Sequence, residues 1–324
     1  MSRYLERAEH TTRLLDVNLN LMLDESPTSA ERRWLRVLNA LNNPKDIQWK
    51  GDPYALVRSL TFDTDFPSSI LSLVIAAREN SRHVREQIST EQWHRLNSLY
   101  LQATRPELRR QPEPGTMALE PEAPTEFLQQ IMEAVHQFQG VSDSTMSHGE
   151  GWQFIQVGRY VERASATASL LIAYHDDLWG ERTISQPEKL ESNEYLEWLG
   201  LLRSATAFEA YCKVYTADLT PDRILEFLLL DAEFPHSLRF AVDSMQHALQ
   251  AIDRESGGVR TEPLQRIAGK VHSSLAYSSV EEIFEHGVVP YLHRVQHQLA
   301  EIHQSMYHLY IDFTIQSALT GATV

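Results

Sequence analysis

Arg3-Tyr4-Leu5-Glu6-Arg7-Ala8, followed by Thr11, Leu14 and Leu15, returns 156 residues later as Arg159-Tyr160-Val161-Glu162-Arg163-Ala164, followed by Thr167, Leu170 and Leu171. In the first copy Leu5, Ala8, Thr12, Leu15, Leu19 and Met22 advance by alternating steps of three and four. Val157, Val161, Ala164, Ala168 and Leu171 do the same in the second. That period lays one apolar stripe on a helix. Further blocks return in the same order. Trp34-Leu35 with Leu38 reappears as Trp198-Leu199 with Leu202, 164 residues on. Pro53, Asp63-x-x-Phe66-Pro67 and Ser69 reappear as Pro221, Asp231-x-x-Phe234-Pro235 and Ser237, 168 residues on. Offsets that grow in one direction are what small loop insertions make of a duplication. The reading is an all-α bundle of long helices built from two similar halves about a pseudo-two-fold axis. Residues 2–88 are then expected to superpose on 158–254.

The rest of the chain agrees with helices. Thr28-x-x-Glu31, Ser89-x-x-Gln92 and Ser279-x-x-Glu282 fit the capping box, Thr220-Pro221 offers a cap with proline at the first helical position, and Asp143 is a candidate cap. Leu292, Val295, Leu299, Ile302, Met306, Leu309 and Phe313 make one stripe on a long final helix. Between 104 and 126 stand five of the 14 prolines, a density that excludes a continuous helix. This gives a first half at 1–103, a proline-rich excursion at 104–126 and a second half at 127–324. Two softer stretches, 180–193 and Ser256-Gly257-Gly258, mark further connections.

Of the 324 residues 42% are hydrophobic and 23% charged, with a net charge of −15. Such an acid surplus opposes broad attraction to nucleic acid or anionic lipid. No run approaches the ~18 apolar residues of a membrane span. The single cysteine, Cys212, cannot pair within the chain and reads as a small buried hydrophobe. A cytoplasmic protein is the expectation. Only two residues precede Arg3, whereas Trp152, Phe154 and Ile155 run into Arg159. Met1 is therefore read as a truncated or misassigned start.

The chemistry-bearing positions lie on the repeated helix. Arg3 with Glu6, and Arg159 with Glu162, are three apart and can meet on one face. If the two repeat helices are neighbours, Glu6 with Arg159 or Glu162 with Arg3 can pair across the pseudo-two-fold axis instead. Two readings stand. Arg–Glu bridges tie the halves together, or guanidinium groups clamp a carboxylate or phosphate while a glutamate acts as base. Arg78, Arg82 and Arg85, with Glu79 and Glu86 at pairing distance, form either a self-neutralised ladder or an anion site. Glu150 suits a helix start. His293, His297 and Glu301 share a face, but one turned from the apolar stripe, so no metal site is assigned. No phosphate-binding glycine loop, nucleophile elbow or paired Cys-x-x-Cys is present, and no cofactor is implied.

Arg-Tyr-Leu-Glu-Arg-Ala-Glu-His-Thr at 3–11, Ala77-Arg78-Glu79-Asn80-Ser81-Arg82, Trp93-x-x-Leu96-Asn97-x-Leu99-Tyr100, and Asp143-x-Thr145-Met146 on to Glu162-Arg163-Ala164 resemble the bacterial alpha-E domain family over nearly the whole chain. The resemblance implies an all-helical accessory protein of a peptide- or amide-forming system. Its partner would be a circularly permuted ATP-grasp ligase, with a transglutaminase-like protease as a further associate. The alternative is an enzyme whose Arg–Glu cleft catalyses aminoacyl or amide transfer. Family-typical polar positions fall on Arg3, Glu6, Arg7, Arg78, Glu79, Arg82, Glu150, Arg159, Glu162 and Arg163. Among these Glu6, Glu79 and Glu162 are the catalytic candidates, and the arginines with Glu150 are the binding candidates. His148 departs from the arginine that the family pattern carries there, and the family's short helical stretch before Arg-Tyr is absent.

Overall fold

The first helix, α1 (Ser2–Leu21), carries far more buried surface than one amphipathic stripe provides. Besides Leu5, Ala8, Leu15 and Leu19 it buries Glu6, Glu9, Thr11, Thr12, Arg13 and Asn18. A helix covered on nearly all sides is a central one. The computed structural model describes residues 1–23, 29–42, 47–105, 122–179, 192–216, 218–256 and 261–312. Among these it is all-helical, with no strand.

After α1 come α2 (Ala30–Ala40), α3 (Pro53–Phe62), α4 (Ile70–His83) and α5 (Thr90–Ala103). Then follow α6 (Glu122–Thr145), α7 (Glu150–Tyr174), α8 (Ser192–Ser204), α9 (Phe208–Tyr215) and α10 (Pro221–Leu230). The chain continues with α11 (Leu238–Ser256), α12 (Glu262–Ala276), α13 (Val280–His286) and α14 (Val288–Tyr307). Helices α1, α4, α5 and α6 close a ring, each touching the next and α6 returning to α1. Helices α7, α11, α12 and α14 close another. α1 packs on α7 where the rings meet, α2 crosses to α7, and α8 crosses to α1. One apolar core runs through both rings, with Trp34 and Trp198 fully buried in it.

Local chemistry sets the ends. Ser89 and Ser279 complete full capping boxes with Gln92 and Glu282. The first turn of α2 is capped by Ser29, which accepts from the Arg32 N–H, one residue beyond the Thr28 expected; Thr28 itself lies outside the described residues. Thr220 stands at the cap of α10 with Pro221 behind it but makes no side-chain cap bond. Asp143 is no cap: α6 continues through Thr145, and Gly149 precedes α7. α6 also begins at Glu122, inside the expected excursion, because proline is tolerated in a helix's first turn. The remainder of 106–121, and most of 180–193 and 257–260, lie outside the described residues. Cys212 is half-buried against the core rather than within it.

Close approach of the central helices requires glycine at two places. A Cβ on Gly158 would run into the Ser2 side chain, and one on Gly200 would lie 2.8 Å from Leu21 Cδ1. The first fixes α1 against α7, the second α8 against α1.

Candidate functional site

The two Glu-Arg steps face each other across the α1–α7 contact, and their pairing is reciprocal. Glu162 accepts from Arg3 Nε at 3.0 Å and from Arg7 at 2.6 Å (Nε) and 2.9 Å (Nη2). Glu6 accepts from Arg163 Nε at 2.5 Å, with Arg159 Nε 3.8 Å from its other oxygen. Of the two arrangements the sequence allows, the structure forms the one between helices, Arg3 with Glu162 and Arg159 near Glu6, and adds Arg7 and Arg163. No pair within one helix, Arg3 with Glu6 or Arg159 with Glu162, is formed among the described residues. The reason is burial. Both carboxylates point into the helix contact, where the opposite helix supplies a guanidinium fork that a partner on the same helix could reach only by staying near solvent.

The two ends differ in their surroundings. Arg3 and Arg7 keep 29% and 36% of their side-chain surface exposed, whereas Arg163 keeps 4%. Around Glu6 lie a second buried acid, Glu9, and two histidines, His10 and His236. Arg13 pairs with Glu9 and donates to Thr206 Oγ1 at 2.6 Å. His136 Nε2 meets Glu9 at 3.0 Å, and Gln139 reaches both acids at 3.4 and 3.3 Å. Arg163 also donates to the Pro235 carbonyl at 3.2 Å. Cavities of about 20 Å³ flank Glu6 on either side, each with room for one water.

Electrostatics follow from these contacts. Burial pushes the Glu6 carboxyl up; Arg163 opposes the shift and Glu9 adds to it, so the group ends above the usual glutamate range. Burial also works on Glu9, but His136, Arg13 and Arg163 outweigh it and hold Glu9 well below that range. The two carboxylates share Gln139 and the field of Arg163, yet they shift in opposite directions, Glu6 up and Glu9 down. At the other end burial is outweighed by Arg7 and Arg3, and Glu162 stays low. Burial, aided by Arg13, lowers His10 to about 4. Burial, Arg163 and Arg13 hold His236 well below the histidine range.

Glu-Arg is also the mark of the family that matches. The Alpha-E family, described as a predicted alpha-helical domain with a conserved ER motif, matches residues 1–311. The chain belongs to it. Two similar proteins, from Mycobacterium bovis and Mycobacterium tuberculosis, are both called uncharacterized; they are 23% and 22% identical over 323 residues, which is 94% of this chain. The chain spans 34% of the length of each. No solved structure matches.

The other Alpha-E positions are not drawn into the α1–α7 contact. On α4, Arg78 donates to Asn97 at 2.8 Å and to Glu79 at 3.0 Å, and Arg82 meets Glu79 at 3.0 Å. The Arg78 guanidinium also lies over the Tyr100 ring at 4.4 Å. This is the self-neutralised ladder. Glu150 is exposed in the first turn of α7, where the helix dipole favours it. His148 stacks on Trp152, ring centroids 4.1 Å apart. On α14, His297 and Glu301 pair at 3.6 Å on an exposed face. No helix among the described residues is long and apolar enough to cross a membrane.

Sequence reasoning passed over several groups. Glu9, His10 and Arg13 stand at positions where the second copy has Ser165, Ala166 and Ser169. The difference between copies was the available signal. A second buried polar knot joins α2 to α8: Arg33 meets Glu197 at 3.4 Å, Arg36 pairs with Glu197, and Arg36 meets Asp177 at 3.3 Å. Arg33 and Arg36 flank the buried Trp34, a position on the core side of α2 that charge alone disguises.

Proposed function

We propose that this Alpha-E chain is a helical accessory module of a peptide- or amide-forming system, working beside a circularly permuted ATP-grasp ligase. One observation carries this reading. The Arg and Glu groups at its centre satisfy each other across the α1–α7 contact, and the cavities beside Glu6 admit a water and no substrate. Groups locked in this way hold two helices together. In the mycobacterial relatives the matched region is about a third of a longer chain, which suits a domain that acts beside others. A transglutaminase-like protease is a further candidate partner. We place the module in the cytoplasm.

We also infer that the halves 1–103 and 127–324, joined by the proline-rich excursion, descend from one duplicated unit. The matching order of contacts supports it: α1-α4-α5-α6 against α7-α11-α12-α14, with α2 and α8 exchanged across the axis.

A second reading has one observation in its favour. Glu6 is an acid raised by burial and set between two water-sized cavities, the kind of group that moves protons in catalysis. The test is co-purification of this chain with the ATP-grasp ligase, followed by ATP consumption with and without the chain. Ligase turnover that rises with wild type and equally with Glu6→Gln supports the accessory reading. A folded, ligase-bound Glu6→Gln chain that gives no turnover moves the reaction to Glu6.

A further inference from the structure

A cleft of about 500 Å³ lies away from the Glu-Arg pairs but shares Arg13 and His136 with the Glu9 cluster beside them. Its walls are two helix faces. Arg13, Asp16, Val17 and Asn20 on α1 follow the spacing of one helical face, and so do Gln129, Met132, Glu133 and His136 on α6. The turn after α8 closes the third side with Arg203 and Thr206. That volume is in the ordinary range of small-molecule sites.

Three features of the lining are unusual for plain surface. Asp16 Oδ1 is buried and has no hydrogen-bond partner among the described residues. Burial raises its carboxyl, and Arg13 offsets only part of that. A buried acceptor left without a donor is costly, and natural proteins rarely keep one without a use. Arg203 is exposed at the cleft and makes no ion pair among the described residues, although acidic groups are plentiful in this chain. Thr206 holds φ at +52°, a conformation that a β-branched residue adopts only under constraint. Its hydroxyl is held there by Arg13, whose other end grips Glu9.

The charged features belong to one half alone, whereas the left-handed turn is common to both: Asn42, 164 residues before Thr206, holds φ at +62° and accepts from Ser169, the counterpart of Arg13. At the positions matching Arg13 and Asp16 the second copy carries Ser169 and Ile172. Ser169 is engaged by Gln296 of α14 at 2.8 Å, and Ile172 packs on the core. The same stretch of helix is therefore covered and apolar in one copy, open and charged in the other.

We propose that this cleft binds a small zwitterion, an α-amino acid or a short peptide with free termini, with its ammonium group against Asp16 and its carboxylate against Arg203. The ammonium meets the acidic wall that Asp16 and Glu133 make. Val17 and Met132 offer apolar surface for a side chain. The site stands on the cleft alone and does not depend on the ligase partnership.

Isothermal titration of the full chain with the twenty standard amino acids and the dipeptides Ala-Ala and Ala-Leu tests it. At least one should bind saturably with Kd of about 1 mM or tighter. Whether amino acids or dipeptides do so distinguishes the two forms of ligand. N-acetylation or C-amidation of the binder should each weaken it about tenfold or more, as loss of a charge-assisted hydrogen bond does. Asp16→Asn and Arg203→Gln should have similar effects, with Arg203→Gln leaving the melting temperature unchanged. Absence of saturable binding across the panel to a chain folded by circular dichroism overturns the proposal. So does equal affinity for blocked and free termini, or wild-type affinity in both variants.

Discussion

Glu6 and Glu162 occupy the same place in two copies of one helix motif, each paired with arginine from the other helix, yet their carboxyls shift in opposite directions. Burial pushes both upward, and the arginines decide the outcome. Glu162 accepts three hydrogen bonds from Arg7 and Arg3, whereas Glu6 has one close guanidinium, itself buried, with Arg159 at 3.8 Å. A turn further along the copies also differ, the first continuing with Glu9-His10 and Arg13, the second with Ser165-Ala166 and Ser169. Glu9 adds a like charge against Glu6. One end of the crossing is thus a strong clamp, and the other is a pair of neighbouring carboxyls shifted in opposite directions.

The heaviest blow to that contrast is Glu9→Gln. It removes the acid from Arg13 where both side chains are buried, and breaking such a pair typically costs about 3–5 kcal/mol. Urea unfolding should show a loss of that size. Removing the like charge also takes away one of the influences that raise Glu6, so Glu6→Gln should be more costly in the Glu9→Gln background than alone. Simple additivity of the two substitutions would mean that Glu6 and Glu9 are not coupled.

Next in size is Glu162→Gln. The substitution keeps the shape but deletes the charge that accepts three hydrogen bonds from Arg3 and Arg7. Because those arginines can rehydrate, the expected cost is about 2–3 kcal/mol, below that of Glu9→Gln. Its pH dependence has a definite sign. The folded Glu162 lies below the usual glutamate value of about 4.3, so its contribution is present above that value and lost as pH falls through the folded pKa. The gap between wild type and Glu162→Gln should therefore close in acid. A gap that persists unchanged at pH 3 would assign the effect to packing.

How much of this was readable beforehand depends on which physical signal each feature leaves. The helices, their order and the reciprocal importance of Arg3, Glu6, Arg159 and Glu162 were legible because apolar spacing and a repeated block act locally. The pairs Arg3 with Glu162 and Arg159 with Glu6 were legible once the two helices are set side by side, but the closer partners Arg7 and Arg163 were not, since they depend on how α1 and α7 cross. Arg33 and Arg36 escaped notice for a related reason: beside Trp34 they look like the solvated edge of α2, and only the arrival of Glu197 from α8 makes burial tolerable. The α4 ladder was legible in part: Glu79 with Arg82 is within one turn, but α4 ends at His83, Arg85 turns to the Ile88 carbonyl and the Trp93 ring, and Arg78 reaches Asn97 on α5. Glu9 and Arg13 were hidden at positions where the repeat fails, and there the two halves part in chemistry.

The smallest effect is expected at Glu6 itself. Glutamine imitates a protonated glutamate, and burial shifts Glu6 toward that form in the folded chain. Glu6→Gln should therefore cost less than its counterpart Glu162→Gln, whose carboxyl is shifted the other way. The pH dependence runs in the opposite sense. A raised folded pKa gives stability that is full below the unfolded value and is lost as pH rises through the folded pKa. Wild type therefore gives up this contribution on going alkaline and Glu6→Gln does not. Measured upward from pH 4, the stability of Glu6→Gln relative to wild type should improve as the pH passes through the folded pKa of Glu6. Parallel curves for Glu6→Gln and Glu162→Gln would erase the distinction between the two ends, whereas curves that run in opposite senses would fix it in the two carboxyls themselves.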